Sequence, residues 1–193
     1  MNKDTLSKIS YGLYVISRFC NEKDTACIVN SFFQLTDDPL QVCVVLNKKN
    51  YTTELIKDSQ IFNCGVLIQS TSMDIIKHFG YQSGRNVDKF KDIPYFEDIQ
   101  HIKQIKENIA ATFSCKVTKE LDVGTHIMFI ANVIDCSILC DDSVLTYNYY
   151  HMRKSKKGYR CTICGFIYDG ELLPVDYICP ICKVDASYFE KIE

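Results

Sequence analysis

Hydrophobic residues along this chain fall in short runs rich in β-branched and aromatic side chains: Leu13 to Phe19, Ala26 to Asn30, Leu40 to Leu46, Ile61 to Ile68, Ala111 to Lys119 and His126 to Asp135. Each run has the length and composition of a strand, because branched and aromatic side chains pack well on a pleated surface. Polar turn-formers separate them at Asn21-Glu22-Lys23-Asp24, Asp37-Asp38-Pro39 and Asp122-Val123-Gly124. The strands adjoin without regular intervening helices, which predicts an antiparallel β-barrel with helical inserts and not a doubly wound sheet.

Helical spacing is confined to a few places. Asn50 can cap a helix over Tyr51 to Lys57, and Met73 to Phe79 puts Ile75, Ile76 and Phe79 on one face. Isoleucines at 99, 102, 105 and 109 among lysines and glutamates predict an amphipathic surface helix over residues 98 to 109. Beyond residue 152 the pattern changes. Residues 153–158 are charged and end in Gly158, as linkers do, so they divide a first domain at 1–152 from a small second one at 159–193. Arg153, Lys154, Lys156 and Lys157 there read as a solvated tether, or as a positive strip that steers an acidic partner.

The second segment carries the strongest chemical signal. Cys161/Cys164 and Cys179/Cys182 are two Cys-x-x-Cys pairs, and four thiolates gathered this way make a tetrahedral site for one soft metal ion. Gly165 follows the first pair as a knuckle residue, which lets backbone amides point at sulfur. Iron and zinc both fit an all-sulfur tetrahedron, and only iron would carry electrons. So short a module buries too little apolar surface to stand alone, and metal binding should supply much of its folding energy.

The remaining ~155 residues suffice for a full domain with its own core. The chain is 47% hydrophobic and 24% charged, ordinary for a soluble globular protein. Its net charge of −2 gives no electrostatic case for nucleic acid or an anionic membrane. Nothing resembles a signal peptide, and no apolar run approaches the roughly 18 to 20 residues of a membrane span. The other seven cysteines, Cys20, Cys27, Cys43, Cys64, Cys115, Cys136 and Cys140, are scattered and odd in number. They read as small buried hydrophobes kept reduced, which places the chain in the cytoplasm.

No Gly-x-Gly-x-x-Gly, phosphate-binding loop, zinc-protease helix motif or nucleophile elbow is present, so a Rossmann site for NAD is not expected. Ser83, Gly84, Arg85 and Lys89 offer hydroxyl, amide and cationic donors close together, which suits an anion.

Two resemblances add to these readings. Phe166-Ile167-Tyr168, Asp169-Gly170, Cys179-Pro180-Ile181-Cys182 and Tyr188-Phe189-Glu190 resemble rubredoxin, which implies one iron per chain moving one electron; zinc would make the same segment structural. Rubredoxins usually place Gly after the second pair; here it is Lys183, which predicts a left-handed residue costing about 1 kcal/mol. The stretches GLYVIS (12–17), IVNSFFQLT (28–36), VVLNKKNYTTELI (44–56), FGYQSGRNVDKF (79–90), DVGTHIMFIANVID (122–135) and LTYNYYH (145–151) resemble the flavin reductase family and its FMN-binding split barrel. A flavin reductase-like domain fused to a C-terminal rubredoxin is the architecture called high-molecular-weight rubredoxin.

The resemblance implies a homodimer holding FMN near the subunit interface. Asn30, Ser31 and Phe32 match the segment beside the isoalloxazine ring, where backbone amides and a hydroxyl would stabilise anionic reduced flavin. Asn47, Lys48, Thr52 and Thr53 match the loop and helix start near the phosphate. Phe79, Gly80, Ser83, Gly84, Arg85 and Lys89 match the loop closing over ribityl and phosphate, and His126 matches the catalytic histidine near flavin and nicotinamide. The segment from Tyr95 to Ile109 departs from the family, which implies altered access to the flavin's substrate face. The implied activity is an NAD(P)H-dependent oxidoreductase that passes single electrons through the four-cysteine centre to an acceptor protein such as a flavodiiron O2 or NO reductase. The alternatives are a carrier reduced by another protein without NAD(P)H activity of its own, and a flavin reductase with a structural zinc ribbon.

Overall fold

The computed structural model describes residues 3–20, 23–154, 158–164, 166–168, 170 and 172–192. They fall in two compact units, Met1–Tyr147 and Asn148–Glu193.

In the first unit a 3-10 turn at Lys3–Lys8 precedes β1 (Tyr14–Cys20), β2 (Lys23–Val29), β3 (Phe32–Asp37) and β4 (Leu40–Asn47). Helix α1 (Tyr51–Ser59), β5 (Ile61–Leu67) and helix α2 (Met73–Tyr81) follow. The short pair β6 (Tyr95–Glu97) and β7 (Lys103–Ile105) leads to the long strands β8 (Ile109–Asp122) and β9 (His126–Ile138). Seven strands form one antiparallel sheet in the order β2-β1-β5-β8-β9-β4-β3. The six runs read as strands from the sequence are β1, β2, β4, β5, β8 and β9.

Alternation along these strands builds a single core. Val42, Val44 and Leu46 of β4 and Ile127, Phe129 and Ala131 of β9 point inward with Ile16, Phe62 and Cys64. Each large apolar side chain so buried stabilises the fold by about 1.5–3 kcal/mol. Phe32, on the edge strand β3, lies 5.4 Å ring to ring from both Tyr14 of β1 and Phe113 of β8. The sheet therefore curls until distant strands share one interior. Irregularities at Ser114/Cys115 and Val117/Lys119 of β8 supply local bends of the kind that bulges introduce. β3 gave no periodic signal because only its first residue is buried.

Residues 98–109 do not form the expected helix; they give the end of the β6–β7 hairpin and the start of β8. The carboxylate of Asp98 accepts the N–H groups of Gln100 and Ile102, each at 2.9 Å, and His101 is left-handed at φ 58°. Such a side-chain turn competes with helical hydrogen bonding. Ile102, Ile105 and Ile109 are buried as an amphipathic helix would bury them, but the polar Gln104 between them is 0% exposed. Its Nε2 donates to Val15 O (3.2 Å), Ser17 Oγ (3.3 Å) and Asn63 Oδ1 (3.0 Å). It fits because Gly65 lies beneath it: a Cβ there would stand 2.9 Å from Gln104 Cδ.

The other two expected helices of this unit are present. Asn50 precedes α1, although its side chain makes no capping bond; Thr53 Oγ1 instead donates to Asn47 O at 2.8 Å. Ser72 caps α2, its Oγ accepting from Ile75 N at 3.3 Å. Of the scattered cysteines, Cys27, Cys43, Cys64 and Cys115 are buried as expected, whereas Cys136 on the late part of β9 is exposed and Cys140 half-buried.

Helix α3 (Tyr147–Lys154) occupies the first residues that read as linker; Ser155, Lys156 and Lys157 lie outside the described residues, as do Gly165 and the expected turn at Asn21-Glu22. The second unit holds a three-stranded sheet, β11 (Ile167–Tyr168), β10 (Gly158–Cys161) and β12 (Phe189–Ile192), in that spatial order. Tyr177 packs between Tyr168 (4.5 Å) and Phe189 (5.5 Å) as its small aromatic core. Among the described residues no helix is long and apolar enough to cross a membrane.

Candidate cofactor cavity and thiolate centre

Two cavities of the first unit share Ile28 and Asn50 as a common wall. The larger, about 530 Å³, is lined by Tyr11, Val29, Asn30, Ser31, Phe33, Val45, Asn47, Val123 and His126. The smaller, about 230 Å³, lies between the end of β2, the start of α1 and the end of α2, and includes Lys49, Thr52, Phe79, Gly80, Ser83 and Gly84. A chamber lined by apolar and amide side chains beside a polar one at a helix N-terminus suits a flat ring with an anionic tail. First-turn N–H groups lack partners within their own helix and carry its positive dipole end.

Most residues singled out from the sequence lie here. Asn30, Ser31, Asn47 and His126 line the larger chamber; Thr52, Phe79, Gly80, Ser83 and Gly84 line the smaller. The Ser31 hydroxyl donates to Val45 O at 2.8 Å, so towards the cavity it can only accept. His126 Nδ1 lies 2.8 Å from Thr125 Oγ1, and Nε2 has no partner among the described residues. The β8–β9 turn aims this histidine: Asp122 Oδ1 accepts from Gly124 N at 2.9 Å, and Gly124 sits at φ 90°, where a side chain would be strained.

Five others lie elsewhere. Phe32 is 8% exposed in the core, and its neighbour Phe33 lines the cavity instead. Lys48 Nζ reaches both oxygens of Asp122 at 2.6 and 2.7 Å, which holds the Asp122 carboxyl below its usual range. Thr53 is buried against Asn47 O. Arg85 pairs with Glu54 beside the smaller chamber. Lys89 is fully buried, donating to His78 O and Phe79 O at the end of α2; burial pulls its ammonium down to about 8, opposed by nearby Cys27. Sequence reasoning set Lys48 and not its neighbour Lys49 among the site residues, yet Lys49 lines the smaller chamber and its ammonium has no partner among the described residues. It also missed Phe33, which period-two alternation from buried Phe32 would have placed. No residue from 95 to 109 lines either of these two chambers.

In the second unit the four sulfurs of Cys161, Cys164, Cys179 and Cys182 lie within 4.8 Å of one another. Cys161–Cys182 and Cys164–Cys179 are both 3.5 Å apart. A tetrahedral ion with bonds of about 2.3 Å holds its sulfurs about 3.8 Å apart, so the set fits one ion. Two equivalent knuckles build it. Cys161 N donates to Phe166 O and Cys179 N to Val184 O, each at 2.8 Å. N–H groups of Ile163 and Cys164 point at the Cys161 sulfur, and those of Ile181 and Cys182 at the Cys179 sulfur. Burial opposes ionisation of Cys179, yet these N–H groups hold its thiol down to about 6. Lys183 closes the second knuckle at φ 63°, the left-handed position expected there.

Comparison with known proteins follows the same division. The family model of the flavin reductase like domain matches residues 6–156, and that of the rubrerythrin, rubredoxin-like domain matches residues 159–190. The high molecular weight rubredoxin of Moorella thermoacetica is 30% identical, over 100% of this chain and 100% of its own length. The ferric-chelate reductase (NAD(P)H) of Archaeoglobus fulgidus is 37% identical over 86% of this chain and 98% of its own. An FMN-binding protein from Thermus thermophilus with bound p-hydroxybenzaldehyde shares the fold, with a TM-score of 0.65 at 21% identity over 73% of this chain and 83% of that chain.

Proposed function

The chain belongs to the flavin reductase-like family and carries a rubredoxin-like domain at its C-terminal end, and on that premise we propose that it is an electron-transfer oxidoreductase. It takes hydride from NAD(P)H at the first unit and delivers single electrons from the second to an acceptor protein, a flavodiiron O2 or NO reductase, in a reducing cytoplasm. The observation that carries this reading is the presence in one chain of the ring-and-anion cavity and the four-sulfur cluster.

Bound FMN supplies a two-electron acceptor that can release electrons singly, and iron held by thiolates supplies a one-electron centre. Backbone N–H groups near Asn30 and Ser31 would serve the ring's polar edge, and Asn47 lines the same chamber. The start of α1 at Tyr51 and Thr52, with Ser83 and Lys49, would receive the phosphate. With the Thr125 hydroxyl donating to His126 Nδ1, the ring proton sits on Nε2 and can be donated into the cavity. Phe33 and Val123 leave an exposed apolar rim at the larger chamber, which a second copy covers in a homodimer. Cys161, Cys164, Cys179 and Cys182 would hold the iron, with N–H groups from both knuckles stabilising the sulfurs' negative charge.

Metal and flavin analysis of the purified chain tests the loading: iron and FMN are expected, and stoichiometric zinc or no flavin overturns the relay. Stopped-flow mixing with NADH and NADPH should bleach the flavin absorbance; without bleaching the chain is a carrier reduced by another protein. Cys164→Ser should abolish reduction of the acceptor while flavin bleaching survives, and equal loss of both overturns the order of transfer.

A further inference from the structure

The smaller chamber is bounded by two walls that one side chain ties together. Arg85 pairs with the carboxylate of Glu54 on α1. Its Nη1 donates to Lys49 O at 3.3 Å, and its Cζ lies 5.1 Å over the Tyr51 ring. The chain leading into it is pressed flat: a Cβ on Gly84 would stand 2.1 Å from Thr25 Oγ1 and 3.3 Å from Tyr51. Ser83 stiffens the approach, its Oγ accepting from Arg85 N at 3.2 Å and its carbonyl from Asn86 N at 3.0 Å. The loop that lines one wall is thus fastened to the helix start that lines the other, where Gly84 meets Tyr51.

Charge at this point is already balanced. Arg85 is neutralised by Glu54 and Lys48 by Asp122, while Lys89 is turned onto the α2 carbonyls. Among the described residues that leaves Lys49, which lines the chamber and whose ammonium has no partner there, as a complement for one phosphate. A second phosphate reaching past the first towards this pair would meet a cation already neutralised by a carboxylate.

We infer that the Arg85–Glu54 pair is a clasp that closes the phosphate end of the cavity, so that the protein selects a flavin mononucleotide and rejects a flavin dinucleotide. The inference rests on the flavin reading above and deepens it. Arg85 and Glu54 act as specificity-determining residues. Each phosphate-side group fits a single phosphate ester, and the pair blocks the path along which a pyrophosphate and adenosine would continue.

The test is titration of the full chain, freed of flavin, with FMN, FAD and riboflavin, read by quenching of flavin fluorescence. The intact protein should bind FMN over FAD by at least about tenfold. Arg85→Ala and Glu54→Gln should each shrink that ratio by on the order of tenfold, chiefly by admitting FAD, and leave riboflavin affinity within about twofold. An unchanged ratio in both variants overturns the clasp. So does parallel weakening of all three flavins in both variants, which would mark Arg85 as a support of the fold alone. Absence of flavin binding by the intact chain would overturn the functional reading along with it, whereas FMN and FAD bound equally well overturns only the clasp.

Discussion

The ammonium of Lys89 lies 3.4 Å from the carbonyl of Phe79 and also donates to His78 O, so a fully buried cation closes the C-terminal end of α2. The last four carbonyls of a helix lack partners within it, and a positive charge there opposes the helix dipole. Lys89→Ala should therefore destabilise the first unit by about 2–4 kcal/mol in urea unfolding, with Lys89→Met losing less. The loss of stability should exceed any loss of FMN affinity. A variant of native stability that no longer binds FMN would make Lys89 a direct ligand.

Two adjacent lysines should behave differently. Lys48 is engaged by Asp122, whereas Lys49 lines the phosphate chamber. Lys49→Ala is expected to weaken FMN by roughly three- to tenfold and to spare riboflavin, which has no phosphate. Lys48→Ala should change FMN affinity by less than about twofold, as befits a solvated surface pair. Isothermal titration with both ligands reads the difference.

Lys183 holds a left-handed backbone at φ 63° without the freedom of glycine. Lys183→Gly should relieve about 1 kcal/mol of strain in the second knuckle. The expected result is slower loss of metal to a chelator, followed by the absorbance of the sulfur-to-metal bands. Faster loss would mean that the lysine side chain contributes something the backbone does not reveal.

Buried thiols make the first unit sensitive to alkali. Burial pushes Cys27 and Cys43 each up to about 11 from an ordinary value of 9.0. Their protons are retained in the folded state between about pH 9 and 11 and lost in the unfolded state, so stability is full below pH 9 and falls above it. Each contributes a slope of up to about 1.4 kcal/mol per pH unit. Lys89, depressed to about 8, works the other way between about pH 8 and its unfolded value of 10.5. It is one group, while Cys64 and Cys115 are also raised by burial and join Cys27 and Cys43. Urea unfolding at pH 8.5 and 10.5 should show the fall, and Cys43→Val should flatten it by about one proton.

The strands and the four-cysteine cluster were legible in the sequence because their signals are local: apolar runs between turns, and paired thiols at fixed spacing. The failures came where tertiary partners decide. Ile99, Ile102, Ile105 and Ile109 have helical spacing, but the Asp98 carboxylate binds two backbone amides and the Gln104 amide finds its acceptors on neighbouring strands. Phe32 and Phe33 look alike in sequence; strand alternation sends one to the core and leaves the other 48% exposed at the cavity. Asp122, Glu54 and the His78 carbonyl hold Lys48, Arg85 and Lys89 respectively, and no spacing rule finds such partners.

The seat of Gln104 over Gly65 couples two events in assembly. Gly65 faces Val15 on one side and Thr112 on the other. A slip of β5 by a single residue would bring Cys64 or Val66 under the amide and shut it out. The hairpin can dock only on a correctly aligned sheet, and its docking then penalises misalignment. Strand pairing and hairpin closure should accordingly be lost together when the protein is unfolded.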